Sequence, residues 1–392
     1  MATDSTLAGT SQLKGLERFR EVNRTFPGTA QIREHKSRGK MVFGWLCTYV
    51  PEEVLHAAGI LPIRIIGYSR EADLDDGTAL LYINNCTFSR SCLQLGLEGE
   101  YDFLDGVAGG STCDGARRLF DIWRQYIGTP FHHVLTVPRK YTERAQHLYY
   151  QEVLQFKQHL EEYLGFTITD EAITDSVALY NQSRRLLKQL YELRKREEPP
   201  ISGAETMEVL NAAYRMPKEI FNQWLNELLD ELAQSDRSFK GRARVMLNGS
   251  VLTNPEFIKS IEDQGALVVT DELCTSTRYW GDEVILDERM PVLEAISRRY
   301  LNNFPCARMY PSDVRFDRIV DFARDYRVDG VISQIVRFCV PYSHDLPLLT
   351  ERLHNELGIP TLALDVEYGS SGSGQVATRV QAFLEMLEGS RK

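Results

Sequence analysis

The chain of 392 residues lacks the features of several large classes of protein. No apolar run reaches the roughly 18 residues that a membrane-spanning helix requires. The first 22 residues, MATDSTLAGTSQLKGLERFREV, are polar and contain no apolar core of a signal peptide. The net charge of -10 makes general attraction to nucleic acid or to anionic membranes unfavourable. We therefore expect a cytoplasmic protein with no nucleic-acid partner and no membrane partner.

Common nucleotide-binding and catalytic motifs are also missing. No GxGxxG follows a predicted strand and no GxxxxGK[ST] is present, so nucleotide binding by this chain is not indicated. No HExxH and no GxSxG occurs either. The glycine-rich stretch EYGSSGSGQ (367–375) is more typical of a flexible loop than of a phosphate site. The pair His132–His133 is more typical of a structural or surface position than of a metal site.

Cysteine is present but in an unusual arrangement. There are seven cysteines, and none belongs to a CxxC pair. The odd count and the spacing do not indicate the disulfide framework of a small secreted protein, so a reducing cytoplasm would leave the thiols free. Cys47, Cys113 and Cys339 each lie where a predicted element meets a loop. Thiolate is the soft ligand that iron–sulfur clusters require, although three buried cysteines of an α/β enzyme are the alternative.

The periodicity of apolar residues divides the chain into four segments. Residues 1–40 are predicted to form a helical N-terminal segment, and 41–141 alternate strand and helix. Residues 142–240 carry apolar residues at spacings of three and four, which indicates helices, and 241–392 return to the strand–helix alternation. We predict an α/β protein with two doubly wound parallel-sheet domains and a helical insertion between them.

The predicted fold brings the cysteines into one region. Ligands of open parallel sheets bind beyond the carboxyl ends of strands, and Cys47, Cys113 and Cys339 all fall at predicted strand-to-helix junctions. Cys86 lies near the start of a further predicted helix. Cys274 and Cys306 could lie near the same crevice, and we interpret both as packing residues.

Two acidic residues follow Cys47 at the start of a predicted helix. Glu52 and Glu53 would either relay a proton or complement the positive end of the helix dipole. Because successive helical side chains are about 100° apart, at most one of them is expected to face the cysteine site.

Several long strings of this sequence resemble one family. These are WLCTYVPEEVLHAAGILPIRI, CTFSRSCLQLGLEGEYDFLDGV, STCDGARRLFDIW, RVMLNGS with IEDQGALVVTDELCTSTR, and GIPTLALDVEY with QVATRVQAFLEML. In their order they resemble the benzoyl-CoA reductase and 2-hydroxyacyl-CoA dehydratase family from about residue 40 to 388. The chain is similar to one of the two homologous cluster-bearing subunits, and LGLEGEYDFLDGV is most similar to the benzoyl-CoA reductase branch.

The resemblance implies a cofactor, a ligand set and partners. It implies a [4Fe–4S] cluster held by Cys47, Cys113 and Cys339, with Cys86 as a further candidate ligand that serine or a substrate oxygen could replace. It implies a homologous cluster-bearing subunit as partner and an aryl-CoA or acyl-CoA substrate. An ATP-hydrolysing component would deliver electrons one at a time, with ferredoxin as the indirect electron donor.

The expected function is that of an iron–sulfur subunit of an ATP-dependent benzoyl-CoA reductase. Such an enzyme reduces the aromatic ring of an aryl-CoA thioester to a cyclic dienoyl-CoA at very low potential, and Glu52 or Glu53 is the candidate proton donor. Two alternatives stay open, a subunit of a radical 2-hydroxyacyl-CoA dehydratase and a non-catalytic cluster-binding partner subunit. Ring reduction consumes electrons at every turnover, whereas dehydration returns the electron.

Overall fold

The computed structural model describes residues 13–372 and 374–389. Two helices precede the first sheet, α1 (Lys14–Thr25) and α2 (Ala30–Ser37). Leu16, Phe19 and Val22 form the buried stripe of α1, which packs on the helices of the insertion. Residues 1–12, part of the predicted N-terminal segment, lie outside the described residues, as does Ser373 of the glycine-rich stretch.

The first sheet has four parallel strands, β1 (Val42–Leu46), β2 (Leu61–Arg64), β3 (Gly106–Gly110) and β4 (Phe131–Leu135). Their order is β2-β1-β3-β4, with four helices between them, α3 (Glu52–Ala57), α4 (Asp75–Leu80), α5 (Thr87–Leu97) and α6 (Asp114–Tyr126). Every residue of the first three strands is buried. Burial on both faces explains why these strands are continuous apolar runs rather than alternating ones.

Four helices separate the two sheets, α7 (Glu143–Leu164), α8 (Asp170–Leu193), α9 (Gly203–Ala213) and α10 (Lys218–Gln234). Local sequence defines their ends, because Thr142 and Thr169 accept hydrogen bonds from the first turns of α7 and α8, and Ser202 forms a capping box with Glu205. Gly165 ends α7 in the left-handed conformation that glycine adopts without strain.

The second sheet repeats the order of the first. Its strands are β5 (Ala243–Gly249), β6 (Ala266–Glu272), β7 (Gly330–Val336) and β8 (Thr361–Val366), in the order β6-β5-β7-β8 and all parallel. Its helices are α11 (Pro255–Glu262), α12 (Thr277–Trp280), α13 (Val292–Asn302), α14 (Asp313–Asp325), α15 (Val340–Leu357) and α16 (Gly374–Gly389). The predicted fold class is confirmed, while the segment boundaries stay a prediction.

Both sheets have a point at which the chain changes its direction of winding. The chain passes from β1 to β2 on one side and then returns past β1 to β3 and β4 on the other, and the second sheet repeats this path from β5 to β6 and then to β7 and β8. The winding therefore reverses between β1 and β3 and between β5 and β7, which is where open parallel sheets have a crevice for ligands. Gly249 ends β5 with φ 136°, and a Cβ there would lie 1.8 Å from the Gln334 carbonyl oxygen. Only glycine allows β5 and β7 to approach so closely at this end.

None of the helices in the described part of the chain is long and apolar enough to cross a membrane.

Candidate functional site

The backbone is strained at two positions next to predicted cysteine ligands. Cys47 follows β1 directly with φ 80°, and Phe338, which precedes Cys339, has φ 66°. A residue with a Cβ in this region costs on the order of 1–2 kcal/mol. Arg327 is the third such non-glycine residue in the described ranges. Strain of this kind is concentrated at functional sites, and here it occurs in the two loops that carry Cys47 and Cys339.

Three cysteines lie at the first turn of a helix. Cys113 caps α6, where its sulfur accepts a hydrogen bond from the Ala116 amide at 3.4 Å. Cys339 is the cap residue of α15. Cys86 caps α5, and its sulfur lies 3.4 Å from the Ser89 hydroxyl. The partial positive charge of a helix N-terminus favours an anionic sulfur.

The structure brings the four predicted cysteines into one region. The Cys113 sulfur is close enough to Cys47 and Cys86 to interact electrostatically, and Cys339 interacts in the same way with Cys86 and Cys113. Burial raises the pKa of Cys113 to about 12 and also raises the pKa values of Cys47 and Cys339. The neighbouring sulfurs contribute to these increases, so the thiols stay neutral unless a cation binds them.

Two further cysteines belong to this region although we interpreted them as packing residues. Cys306 interacts with Cys47, Cys113 and Cys339, and Cys274 interacts with Cys47. Cys274 follows the end of β6 by two residues, so the strand-end argument could have included it. Cys306 lies on the loop between α13 and α14, and no sequence signal of spacing or strand position marks it.

Three buried arginines border the cysteines. The Nη2 of Arg64 lies 3.3 Å from the Cys274 sulfur, and Arg278 interacts with both Cys306 and Cys274. Arg308 donates hydrogen bonds to the carbonyl oxygens of Thr112, Val137 and Pro138 at 2.8, 2.8 and 2.9 Å. The Cys306 loop is thereby attached to the carboxyl ends of β3 and β4. The region is consequently rich in both sulfur and positive charge.

The cysteines are not arranged around a single ion. Within residues 13–372 and 374–389, no three histidine, cysteine, aspartate or glutamate side chains stand close enough together to hold one metal ion. All seven cysteines of the described chain are free thiols.

Glu53 is fully buried and bound in an ion pair. Its Oε1 accepts a hydrogen bond from Arg184 on α8 at 2.5 Å, and its Oε2 accepts one from the Tyr300 hydroxyl at 2.7 Å. Burial opposes ionisation of this carboxyl, but Arg184, Arg299 and Tyr300 outweigh burial and lower its pKa. Glu53 is therefore held as a carboxylate that connects α3 to α8 and α13.

Glu52 is equally buried but has no arginine partner in the described part of the chain, and it interacts with Lys218 and with the Tyr279 hydroxyl instead. Its Oε1 lies 3.9 Å from the Lys218 ammonium nitrogen, and no donor in the described residues reaches that oxygen. Burial raises the pKa of Glu52, Lys218 lowers it and the neighbouring Glu53 raises it further. The two glutamates thus take different partners, as their angular separation on a helix predicts. Of these two glutamates, only Glu52 has a raised pKa.

A large cleft lies away from the cysteines. Its volume is about 850 Å³, and its walls come from α1, α9 and α11 and include Arg20, Glu205, Arg215 and Glu262. No cysteine lines it. The cysteine region, not this cleft, gathers the residues whose chemistry the sequence indicates.

A known protein family matches the part of the chain that carries the cysteine region. The family model described as 2-hydroxyglutaryl-CoA dehydratase, D-component, matches residues 47–387, a span that begins at Cys47 and includes the other predicted ligands. The match covers most of the chain, including every strand except β1 and the four helices between the two sheets.

Three curated relatives are similar over almost their whole length. One benzoyl-CoA reductase subunit from Thauera aromatica is 28% identical over 355 residues, 89% of this chain and 91% of the relative. The beta subunit of (R)-2-hydroxyglutaryl-CoA dehydratase from Acidaminococcus fermentans is 26% identical over 379 residues, 95% and 98% of the two chains. The Escherichia coli protein YjiM is 28% identical over 381 residues, 95% and 97%. The chain belongs to the 2-hydroxyglutaryl-CoA dehydratase D-component family.

Proposed function

We propose that the chain is the iron–sulfur subunit of an ATP-dependent benzoyl-CoA reductase, acting in the cytoplasm on an aryl-CoA thioester. The observation that carries the proposal is the convergence of Cys47, Cys113 and Cys339 at strand ends, in a chain similar throughout to one component of such a reductase. When bound, a [4Fe–4S] cluster would supply one-electron transfer at very low potential.

The residues of the site fit an iron–sulfur cluster in two respects. Half-buried neutral thiols become thiolates when a cation binds them, and Cys47, Cys113 and Cys339 are such thiols. A cluster with its thiolates carries net negative charge, and Arg64 and Arg308 have no carboxylate at ion-pair distance among the described residues. Their charges would offset that of the cluster. Cys86 remains our candidate for a further ligand.

Glu52 is the proposed proton donor. Its carboxyl is buried, its Oε1 lacks a hydrogen-bond donor and its pKa is raised, so that it holds a proton closer to neutral pH than an exposed glutamate does. Tyr279, whose hydroxyl is hydrogen-bonded to the Lys218 ammonium, stacks on Trp45 of β1 with ring centroids 5.9 Å apart. Glu52 is 2% exposed, so its carboxyl is shielded from bulk water. Glu53, held ionised by Arg184, serves to anchor the helix.

The proposal requires partners. The curated relatives are named as subunits, and no nucleotide-binding motif occurs in this chain, so energy from ATP must enter elsewhere. We propose a homologous cluster-bearing subunit, an ATP-hydrolysing component that activates electrons, and ferredoxin as the indirect donor. Purification at native levels should yield a complex with a similar subunit, and a fully active monomer would contradict this.

The second candidate is a subunit of a radical 2-hydroxyacyl-CoA dehydratase. The similarity to the (R)-2-hydroxyglutaryl-CoA dehydratase beta subunit favours it, because this similarity covers 95% of the chain, whereas the similarity to the reductase subunit covers 89%. Electron stoichiometry separates the two. Continuous consumption of ATP and electrons supports ring reduction, whereas one activation followed by many turnovers supports dehydration.

The ligand assignment is tested by metal analysis rather than by activity. We would purify Cys47→Ser, Cys113→Ser and Cys339→Ser anaerobically with the partner subunit and measure iron and sulfide. Each variant should lose most of the cluster, because serine is a poor ligand for iron–sulfur centres. Cys92→Ser is the matched control, since Cys92 is fully buried in the hydrophobic core on α5 and, although it lies near Cys86, is not a proposed ligand, so its replacement should leave iron content unchanged. Full cluster content in all three variants would show that the assignment is wrong.

A non-catalytic role in cluster binding is the remaining alternative, and Glu52→Gln tests it. If the chain contributes a proton donor, this variant should lose turnover steeply while its iron and sulfide content stays intact. Normal turnover would indicate that proton delivery comes from the partner subunit.

A further inference from the structure

Arg64 is a buried cation with an unusual set of partners. It is the last residue of β2 and is 2% exposed. Its Nη1 donates to the Cys274 carbonyl oxygen at 2.8 Å, and its Nη2 donates to the Cys274 sulfur at 3.3 Å. Two hydrogen bonds to one residue fix both the backbone and the side chain of Cys274.

Aromatic rings hold the guanidinium in this orientation. It lies 5.1 Å from the ring centroid of Trp45 and 5.4 Å from that of Tyr214. The backbone amide of Arg64 also donates to the Tyr214 carbonyl oxygen at 2.9 Å. The side chain therefore has little freedom to turn toward another anion.

Two other buried arginines of this chain, by contrast, have carboxylate partners. Arg184 pairs with Glu53, and Arg315 pairs with Glu272 at 2.6 Å and with Asp345 at 2.8 Å. No carboxylate lies at ion-pair distance from Arg64 among the residues that the structure describes, and its Nε has no hydrogen-bond partner. A buried cation is strongly disfavoured without a compensating anion. The electronegative neighbours of Arg64 are the Cys274 carbonyl oxygen, the Tyr214 hydroxyl and the sulfurs of Cys274 and Cys47.

We propose that Arg64 is a positioning residue of the cysteine site, which orients Cys274 and whose unpaired positive charge raises the reduction potential of a cluster bound there. This inference rests on the proposed iron–sulfur function. Adding one electron makes a cluster more negative, and a fixed cation in a site of low dielectric constant stabilises the more negative state. Arginine keeps its charge at every accessible pH, so this effect does not depend on pH.

The test is a redox titration of the purified complex in which electron paramagnetic resonance measures the reduced cluster at each potential. The chemical reductant is Ti(III) citrate, which passes one electron to the cluster and becomes Ti(IV), with no proton transferred. Iron and sulfide are measured first. We expect Arg64→Gln to retain iron and sulfide near the wild-type level and to become reduced at a more negative potential. Arg64→Lys should show a smaller shift in the same direction, because it keeps the charge but cannot make both hydrogen bonds.

The matched control is Arg194→Gln. Arg194 is 1% exposed, donates to the Val268 carbonyl oxygen at 3.0 Å and lies beside Asp271 rather than a cysteine. Its loss should leave the potential unchanged. If Arg64→Gln does not fold, Arg64→Lys decides the question through the same smaller negative shift.

The outcomes distinguish the two levels of the proposal. A wild-type complex in which this chain binds no iron overturns the proposed function, and the inference about Arg64 with it. A wild-type complex with a full cluster, together with Arg64 variants that are reduced at the wild-type potential, overturns only the role of Arg64.

Discussion

The two halves of this protein have the same strand order but finish their central strands differently. Cysteines follow strand ends in both halves, Cys47 and Cys113 in the first and Cys274 and Cys339 in the second, and β3 of the first half, with sequence GVAGG, contains three glycines. In the second half, Glu272 at the end of β6 accepts hydrogen bonds from Asn248 and Arg315, both at 2.6 Å. Both halves therefore contribute thiols to the site, but the second half in addition forms a rigid frame of buried ion pairs around Glu272. The shared topology supports the site from both halves, whereas the frame belongs to the second half.

Arg315 is the strongest test of the frame. Arg315→Met removes the cation between Glu272 and Asp345, and both carboxylates then stay buried with less compensation. We expect the free energy of unfolding to fall by about 3–5 kcal/mol. Urea denaturation followed by Trp fluorescence measures it. The control is Arg352→Met, whose partners Asp313 and Asp317 are largely exposed, and it should cost about 1 kcal/mol or less. Equal losses of unfolding free energy in the two variants would contradict a stabilising role of the buried ion pairs of Arg315.

The adjacent glutamates of α3 repeat the contrast within one helical turn. Glu53→Gln leaves the Arg184 guanidinium buried without its carboxylate, and we expect a loss of about 3 kcal/mol at pH 7. The folded-state pKa of Glu53 lies below the ordinary 4.5, so its stabilisation is present above pH 4.5 and is lost as the pH falls through the folded value. The penalty of this variant should therefore shrink in acid, which denaturation at pH 7 and pH 4 would show.

Glu52→Gln is the matched control for Glu53→Gln. The pKa of Glu52 is raised by burial, so the protonated form favours folding below pH 4.5 and that contribution is lost as the pH rises. Replacing the carboxyl with a neutral amide should cost less than Glu53→Gln at pH 7. A loss as large as that of Glu53→Gln would mean that the two sites are alike.

The glycines of β3 test the close packing of the first half. A Cβ at Gly109 would lie 1.8 Å from the Phe120 ring, so α6 must move outward in Gly109→Ala. We expect the variant to lose about 1–3 kcal/mol of unfolding free energy. Gly110→Ala is the control, because the atoms nearest to its Cβ would be on the side chains of Thr112 and Val137, at 3.2 Å. If the two variants lose the same stability, the contact with α6 is not what requires glycine.

The smallest expected effect concerns the connection between α9 and the second half. Glu262 accepts hydrogen bonds from the Gly203 and Ala204 amides at 2.7 and 3.2 Å, and burial raises its pKa to about 7. Its contribution should fall as the pH rises from 4.5 to 7. Part of the Glu262 side chain remains accessible, so the effect should be small. We expect the unfolding free energy of Glu262→Gln, relative to that of the wild type, to increase by only about 1 kcal/mol between pH 5.5 and pH 8. Thermal unfolding at the two pH values measures it, and a constant difference would contradict the raised pKa.

The placement of the predicted ligands shows what local pattern could reveal. Cys47, Cys113 and Cys339 were expected at strand-to-helix junctions because the alternation of apolar runs and helical spacing locates strand ends, and the structure places them there. Cys306 could not be predicted in this way, since it comes from a loop that Arg308 ties to the opposite half. Its proximity depends on contacts between residues almost 200 positions apart.

Sequence by itself determined the fold class and the alignment of cysteines with strand ends, because apolar periodicity and capping residues act over a few residues. Tertiary structure alone decided which charged groups have partners. Glu52 and Glu53 are neighbours in the chain, yet only Glu53 meets an arginine in hydrogen-bond contact, and Arg64 meets a cysteine sulfur instead of a carboxylate. The physical reason is that ionisation in a protein interior depends on the few atoms within several ångströms, and these come from distant parts of the chain.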